Sequence, residues 1–267
     1  MIGQEQLRNL FDNYGENIPR SSIFIGSNGS GRKTFVHWVA DSTSYPLVQV
    51  GQKADEVREF SEICYKIIEP TIYLIPDIEQ MSATAQNALL KILEEPPNNA
   101  YLMLTAAQEN VVLPTIISRC VKFYLSPYSE LELIQYAKDK YKMADDLKDI
   151  MLQLCVCPGD IDLLFSQNIP EFMAYVQTVF KNIAVVSGAN SFKIANKINL
   201  ADDTNKYDLS LFWRAFTHEC FKNLNKSQKY LQGVIITQKH LQDLRIKGIN
   251  RSMLFDNWLL EIRRAWL

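Results

Sequence analysis

Neither sign of charge dominates this chain, and that is the first constraint it sets. Its 267 residues carry 28 Lys and Arg against 30 Asp and Glu, a formal charge of −2. A protein that grips nucleic acid on its own shows a basic footprint, because phosphate neutralisation supplies much of the affinity. None is visible in the total, so any DNA contact is local or shared with partners. Histidine is equally sparse: His37, His218 and His240 lie far apart without ligand spacing, which argues against a His-based metal site. The five cysteines, Cys64, Cys120, Cys155, Cys157 and Cys220, include one close pair separated by a single residue, not the two to four that zinc favours. All five are expected to be reduced, mostly buried thiols. No apolar run reaches the length of a membrane span, and Met1–Gln6 lacks a charged region followed by an apolar one. Cytoplasm is the default location. What the chain does have is apolar mass, 47% of residues, enough for one large domain and one or two smaller ones.

Short apolar runs alternate with helical periodicity through the first half. Ile23–Ile25, Leu47–Val50, Ile72–Ile75, Tyr101–Thr105 and Val121–Leu125 read as strands. Thr34–Ala40, Ala54–Ile68 and Ser82–Glu95 read as helices, the last stopped by Pro96-Pro97. This order predicts an α/β fold with a parallel sheet covered on both faces. After Ser126-Pro127 strands give way to helices at Leu131–Tyr141 and Ala144–Cys155, with Pro158-Gly159 as a break before Asp160–Ser166. Further helical runs start at Glu171 and continue through Leu209–Leu224, Gln228–Thr237 and Met253–Leu267, with breaks near Gly188 and Asp202-Asp203. Phe212, Trp213, Phe216, Phe221 and Trp258 recur at helical spacing and belong to a core or an interface. Lys181, Lys193, Lys197, Lys226 and Lys229 read as a solvated face, with a DNA-facing patch as the alternative.

The loop Gly26-Ser27-Asn28-Gly29-Ser30-Gly31-Arg32-Lys33-Thr34 follows a strand and opens a helix, close to the phosphate-binding pattern G-x-x-x-x-G-K-[ST]. Keeping Gly26 and Gly31 puts Arg32 on the lysine position and Lys33 on the magnesium-hydroxyl position. Shifting by one recovers Lys33-Thr34 but puts Ser27 and Arg32 where glycine permits close backbone approach. Neither register is intact. The backbone N–H groups and the helix start can still cradle phosphate, with Arg32 touching it by charge, so nucleotide binding stays open while the metal position is compromised.

Two further stretches carry the most specific signal: Gln86–Pro97 (QNALLKILEEPP) and Pro114–Cys120 (PTIISRC). Together with the Gly-rich loop ahead of them, they resemble the clamp-loader branch of the AAA+ ATPases. The resemblance is good to about residue 165 and beyond that rests on length and helical pattern. It implies an AAA+ α/β module over residues 1–127, a helical lid over 128–168 and an all-α collar over 169–267. Within it Arg119 is the arginine finger that completes an adjacent subunit's ATP site in trans; by itself an arginine there also reads as a helix-end cation. Pro76 falls on the metal-orienting Asp and Asp77 on the catalytic Glu, although Asp77 and Glu79 also read as ordinary polar residues at a strand end. Thr105 matches the first sensor, and Asp162 occupies the position of the second-sensor arginine, reversing its charge. The four-cysteine zinc module usual in these relatives is missing, so no zinc is expected. These departures imply a subunit with little or no ATP hydrolysis and no required cofactor, a degenerate nucleotide site at Gly26, Gly29, Gly31, Arg32, Lys33, Thr34, Asp77 and Thr105, and a surviving Arg119. The implied setting is a hetero-oligomer with gamma/tau-type ATPase and delta-type subunits of the DNA polymerase III holoenzyme, meeting sliding clamp and primer-template DNA through the complex. The alternatives are an ATP-hydrolysing subunit of the same loader or another P-loop ATPase.

Overall fold

Five parallel strands form the central sheet in the order β2-β3-β4-β1-β5: β1 Ser21–Ile25, β2 Leu47–Gln49, β3 Thr71–Ile75, β4 Ala100–Ala106 and β5 Val121–Tyr124. The computed structural model describes residues 2–15, 17–183, 197–199, 206–244, 246 and 248–267. The breaks expected near Gly188 and Asp202-Asp203, and Lys193, lie outside the described residues. Every residue of β1, β3 and β4 is buried, which is why these strands read as unbroken apolar runs. Alternate residues feed two cores, as the two-residue strand period requires. Ile23, Tyr73, Ile75, Leu102 and Leu104 pack with Val57 of α3 (Ala54–Cys64) and with Leu89 and Ile92 of α4 (Ala83–Glu94). Phe24, Leu74, Met103 and Phe123 pack with Phe11 of α1 (Glu5–Tyr14) and Phe35 of α2 (Arg32–Thr43). Phe11, Phe24, Phe35 and Phe123 make an aromatic cluster with ring centroids as close as 5.0 Å.

The chain divides into two compact units, Met1–Glu132 with Cys157–Gly159, and Leu133–Val156 with Asp160–Leu267. A short helix α5, Pro114–Ile117, completes the first. Helices α6 (Glu130–Tyr141), α7 (Lys148–Leu154), α8 (Pro158–Phe165) and α9 (Ile169–Asn182) follow. Then come a two-residue parallel pair, β6 Ile198–Asn199 and β7 Tyr207–Asp208, and α10 (Leu209–Lys222), α11 (Lys229–Asp243) and α12 (Arg251–Trp266). Phe212, Trp213, Phe216 and Trp258 are fully buried in the second unit, whereas Phe221 is half exposed. Trp258 Nε1 donates to Thr237 Oγ1 at 2.9 Å, which satisfies the indole in the core.

Three expectations change. Helix α3 stops at Cys64 rather than running to Ile68: the chain turns there, with the Lys66 N–H on Ile63 O at 2.9 Å, and the Ile68 carbonyl accepts from Asn99 Nδ2. Pro158-Gly159 does not break a helix but begins α8, where proline has no useful N–H to lose. The predicted helix from Ala144 is a 3₁₀ turn, Asp145–Leu147, followed by α7.

Candidate functional site: the phosphate loop and the Arg119 surface

Strands β1 and β3 flank β4 and point the same way, so the loops leaving their carboxyl ends converge beside Thr105, near the end of β4. The β1 loop turns through Gly29 (φ 79°) and Gly31 (φ 86°), left-handed conformations that glycine takes without strain, and Gly31 caps α2. Arg32, the first helical residue, is 6% exposed. Its Nη2 donates to Asn28 Oδ1 at 2.9 Å and to Asp77 Oδ1 at 3.0 Å, and Nη1 lies 3.6 Å from Glu79 Oε1. Lys33 closes on the other Asp77 oxygen, Nζ to Oδ2 2.6 Å. A guanidinium this buried must be paired, and here the partners are the chain's own carboxylates. Thr34 is exposed in the first turn of α2.

Asp77 itself sits in the left-handed region at φ 46°, a conformation that Asp tolerates better than most residues. Its backbone N–H donates to Thr105 Oγ1 at 2.8 Å, and Thr105 is fully buried. Pro76 offers only its carbonyl, which accepts from Gln52 Nε2 at 2.8 Å. Glu79 Oε1 accepts from the Ala107 N–H at 3.1 Å. Asn28, Gln52 and Glu79 were not singled out as site residues. Nor was Gln86, 6% exposed, whose amide spans Ile78 O at 3.1 Å and Leu113 N at 3.2 Å. The signal for Gln86 was present, since it falls on the apolar face of α4 with Ala85, Leu89, Ile92 and Leu93.

The outer carbonyls of the loop are also engaged. Gly159 N donates to Gly29 O at 3.0 Å, Cys157 Sγ lies 3.5 Å from Asn28 O, and Tyr128 OH donates to Ser30 O at 2.8 Å. The approach is so close that a Cβ on Gly159 would fall 2.4 Å from Gly29 Cα. Gly26 starts the loop with its N–H on Ala106 O at 3.1 Å.

Asp162 lies in the second unit as the hub of a side-chain cluster. Tyr136 OH and Tyr141 OH each donate to its Oδ1 at 2.8 Å, and Lys140 Nζ is 3.0 Å away. The bond to Tyr136, with that to Asp162, holds the Lys140 ammonium above its ordinary pKa. Of the basic residues on the expected solvated face, Lys181, Lys197 and Lys226 are exposed and Lys229 is half-buried.

Arg119 follows α5 and is 31% exposed. Its guanidinium pairs with Glu94, the last residue of α4, and its Nη1 donates to Thr115 O at 2.7 Å. The neighbouring Cys120 thiol is pushed up to about 12 by burial, so it is not a thiolate nucleophile. All five cysteines are free, Cys120 half-buried and the others buried. Among the described residues no group of His, Cys, Asp and Glu could hold a metal, and no helix is long and apolar enough to cross a membrane.

The parallel sheet, the strand-loop-helix opening and the helical lid and tail define an AAA+ fold. A DNA polymerase III gamma subunit-related protein from Thermotoga maritima shares it, with a TM-score of 0.56, 20% identity, and 98% of this chain and 99% of that one covered. Residues 48–129 match the family described as DNA polymerase III, delta subunit, a stretch that contains Asp77, Glu94 and Arg119 and begins after the phosphate loop. An uncharacterized Mycoplasma pneumoniae protein is 42% identical over 91 residues, 33% of this chain and 36% of that relative. Subunit gamma of DNA polymerase III from Buchnera aphidicola is 37% identical over 89 residues, 32% of this chain and 25% of that one. The matches thus span about a third or less of these relatives' length. Over this segment the chain is similar to bacterial DNA polymerase III clamp-loader proteins, among them gamma, tau/gamma and delta-prime subunits.

Proposed function

We propose that this chain is a delta-prime-type stator of the clamp loader, without ATPase activity of its own, that supplies Arg119 to the ATP site of a neighbouring gamma/tau-type subunit. The observation that carries the reading is the closure of Arg32 and Lys33 onto Asp77 beside Pro76. Phosphoryl transfer depends on positioned cations around the phosphates, a metal and an oriented water. Here the loop's cations neutralise the residue at the water-orienting position, and the metal-orienting position is a proline. Residues 1–127 are the AAA+ module, 128–168 the lid and 169–267 the collar that joins the other subunits. The half-exposed Phe221 is one residue available for that junction. Sliding clamp and primer-template DNA are met through the assembly.

The test uses the purified chain and the reconstituted loader side by side. Alone, the chain shows no magnesium-dependent ATP turnover above background. In the complex, Arg119→Ala leaves assembly intact and lowers ATP hydrolysis and clamp loading, by as much as about 10³-fold for a full finger. Arg119→Lys rescues poorly, because an ammonium lacks the planar fork. Wild-type rates in the Arg119→Ala complex would end the trans-acting reading, and steady turnover by the isolated chain would end the stator reading.

A further inference from the structure

Arg119 has three hydrogen-bonding edges, and its own chain occupies the side edge and binds Nη1. Nε and Nη2 both face Glu94 Oε1, Nε at 2.9 Å. Nη1 meets Thr115 O at 2.7 Å and Ser118 Oγ at 3.4 Å, and those two acceptors are themselves joined at 3.1 Å. A guanidinium carries five N–H donors in a fixed plane. With Nε and one N–H of Nη2 on Glu94, the second N–H of Nη2 points end-on, has no partner among the described residues and belongs to a side chain that is partly exposed.

We propose that Glu94 is the positioning residue for Arg119: it takes the side edge of the guanidinium and thereby presents the end-on edge to a phosphate of the adjoining protomer. The inference rests on the trans-acting reading of Arg119. Glu94 ends α4, where the helix dipole disfavours a carboxylate and where Lys91 is the ordinary choice, so its place is not explained by the helix that carries it. Its position is nonetheless fixed. Tyr65 OH donates to Glu95 O at 3.1 Å and Arg20 Nη1 to Pro97 O at 3.0 Å, which pins the chain just beyond α4. Gln86 of α4 accepts from Leu113 N at 3.2 Å, which ties the start of α5 to the same helix. The two supports of Arg119, Glu94 and Thr115, therefore come from elements bonded to each other. An arginine held in this way has lost its rotamer freedom before the neighbour arrives, and only the outward edge is left to bind.

The experiment measures ATP turnover by the reconstituted complex at limiting and saturating ATP with wild type, Glu94→Ala, Glu94→Gln, Arg119→Ala and the Glu94→Ala/Arg119→Ala pair. Glu94→Ala lowers kcat on the order of ten- to a hundredfold with KM for ATP unchanged, because a misplaced group costs rate rather than ground-state binding. Glu94→Gln, which keeps an acceptor oxygen, recovers part of the loss. The double variant is no slower than Arg119→Ala alone. Turnover in Glu94→Ala at or above wild type, or a further loss when it is added to Arg119→Ala, would overturn the positioning role. If Arg119→Ala itself turns over at the wild-type rate, the trans-acting reading has failed, and that outcome is separately visible.

Discussion

Arg32 and Asp77, 45 residues apart in sequence, meet at 3.0 Å with side chains only 6% and 15% exposed. On the proposed reading the two occupy the phosphate-cation and water-orienting positions, and in this chain they bind each other. In this chain both serve the interior of the first unit.

The first expectation follows from that burial. Asp77→Ala leaves Arg32 with Asn28 and a 3.6 Å approach to Glu79. Removing one partner of a buried pair costs on the order of 3 kcal/mol, so the variant unfolds at clearly lower urea than wild type. An Asp77 that acts only on nucleotide would leave the unfolding midpoint unchanged, and such a result would contradict the structural role.

Gly159 gives a second, steric expectation. A Cβ there would lie 2.4 Å from Gly29 Cα, and the obstacle is backbone that cannot turn aside as a side chain does. Gly159→Val should therefore cost about 1–3 kcal/mol and loosen the loop, read as faster amide exchange at Gly29 and Ser30. Unchanged melting and exchange would mean that Gly159 does not bear on the loop in solution.

The strands were legible because β1, β3 and β4 are buried on both faces and so spell out as apolar runs. Helix α1 has no place in the sequence reading although Leu7, Leu10, Phe11 and Tyr14 recur at helical spacing and Leu7 and Tyr14 pack beside Phe11; it starts from Gln4 without a side-chain cap, so the punctuation of a helix start is missing. The departures of the Gly26–Thr34 loop from the phosphate-binding pattern were visible residue by residue, yet its pairing was not. Spacing reveals which residues share a helix face, whereas Arg32 meets Asp77 through the convergence of two strand ends around β4. The same holds for Arg119 and Glu94, 25 residues apart, one just beyond α5 and the other ending α4. Asp162 was read as a reversed sensor charge, and the sequence held no sign that Tyr136, Lys140 and Tyr141 from α6 would surround it.

The last expectation concerns pH and the second unit. His218 on α10 is half-buried, and its pKa lies below the ordinary 6.5, chiefly because burial disfavours the imidazolium and secondarily because Lys222 stands one turn away; Glu219 opposes the shift. In the unfolded chain the same imidazole takes up its proton near 6.5. Between the folded and unfolded values the unfolded state binds more protons, so stability rises with pH across that window. The contribution of His218 is complete above pH 6.5 and is lost as the pH falls through its lowered folded value. Urea unfolding followed by the fluorescence of Trp213, Trp258 and Trp266 between pH 7.5 and 5.5 reads this slope, the only other tryptophan being Trp38 in the first unit. His218→Gln removes the titrating group and should flatten the slope over that range. An identical pH dependence in the variant would assign the acid sensitivity of the second unit to other groups.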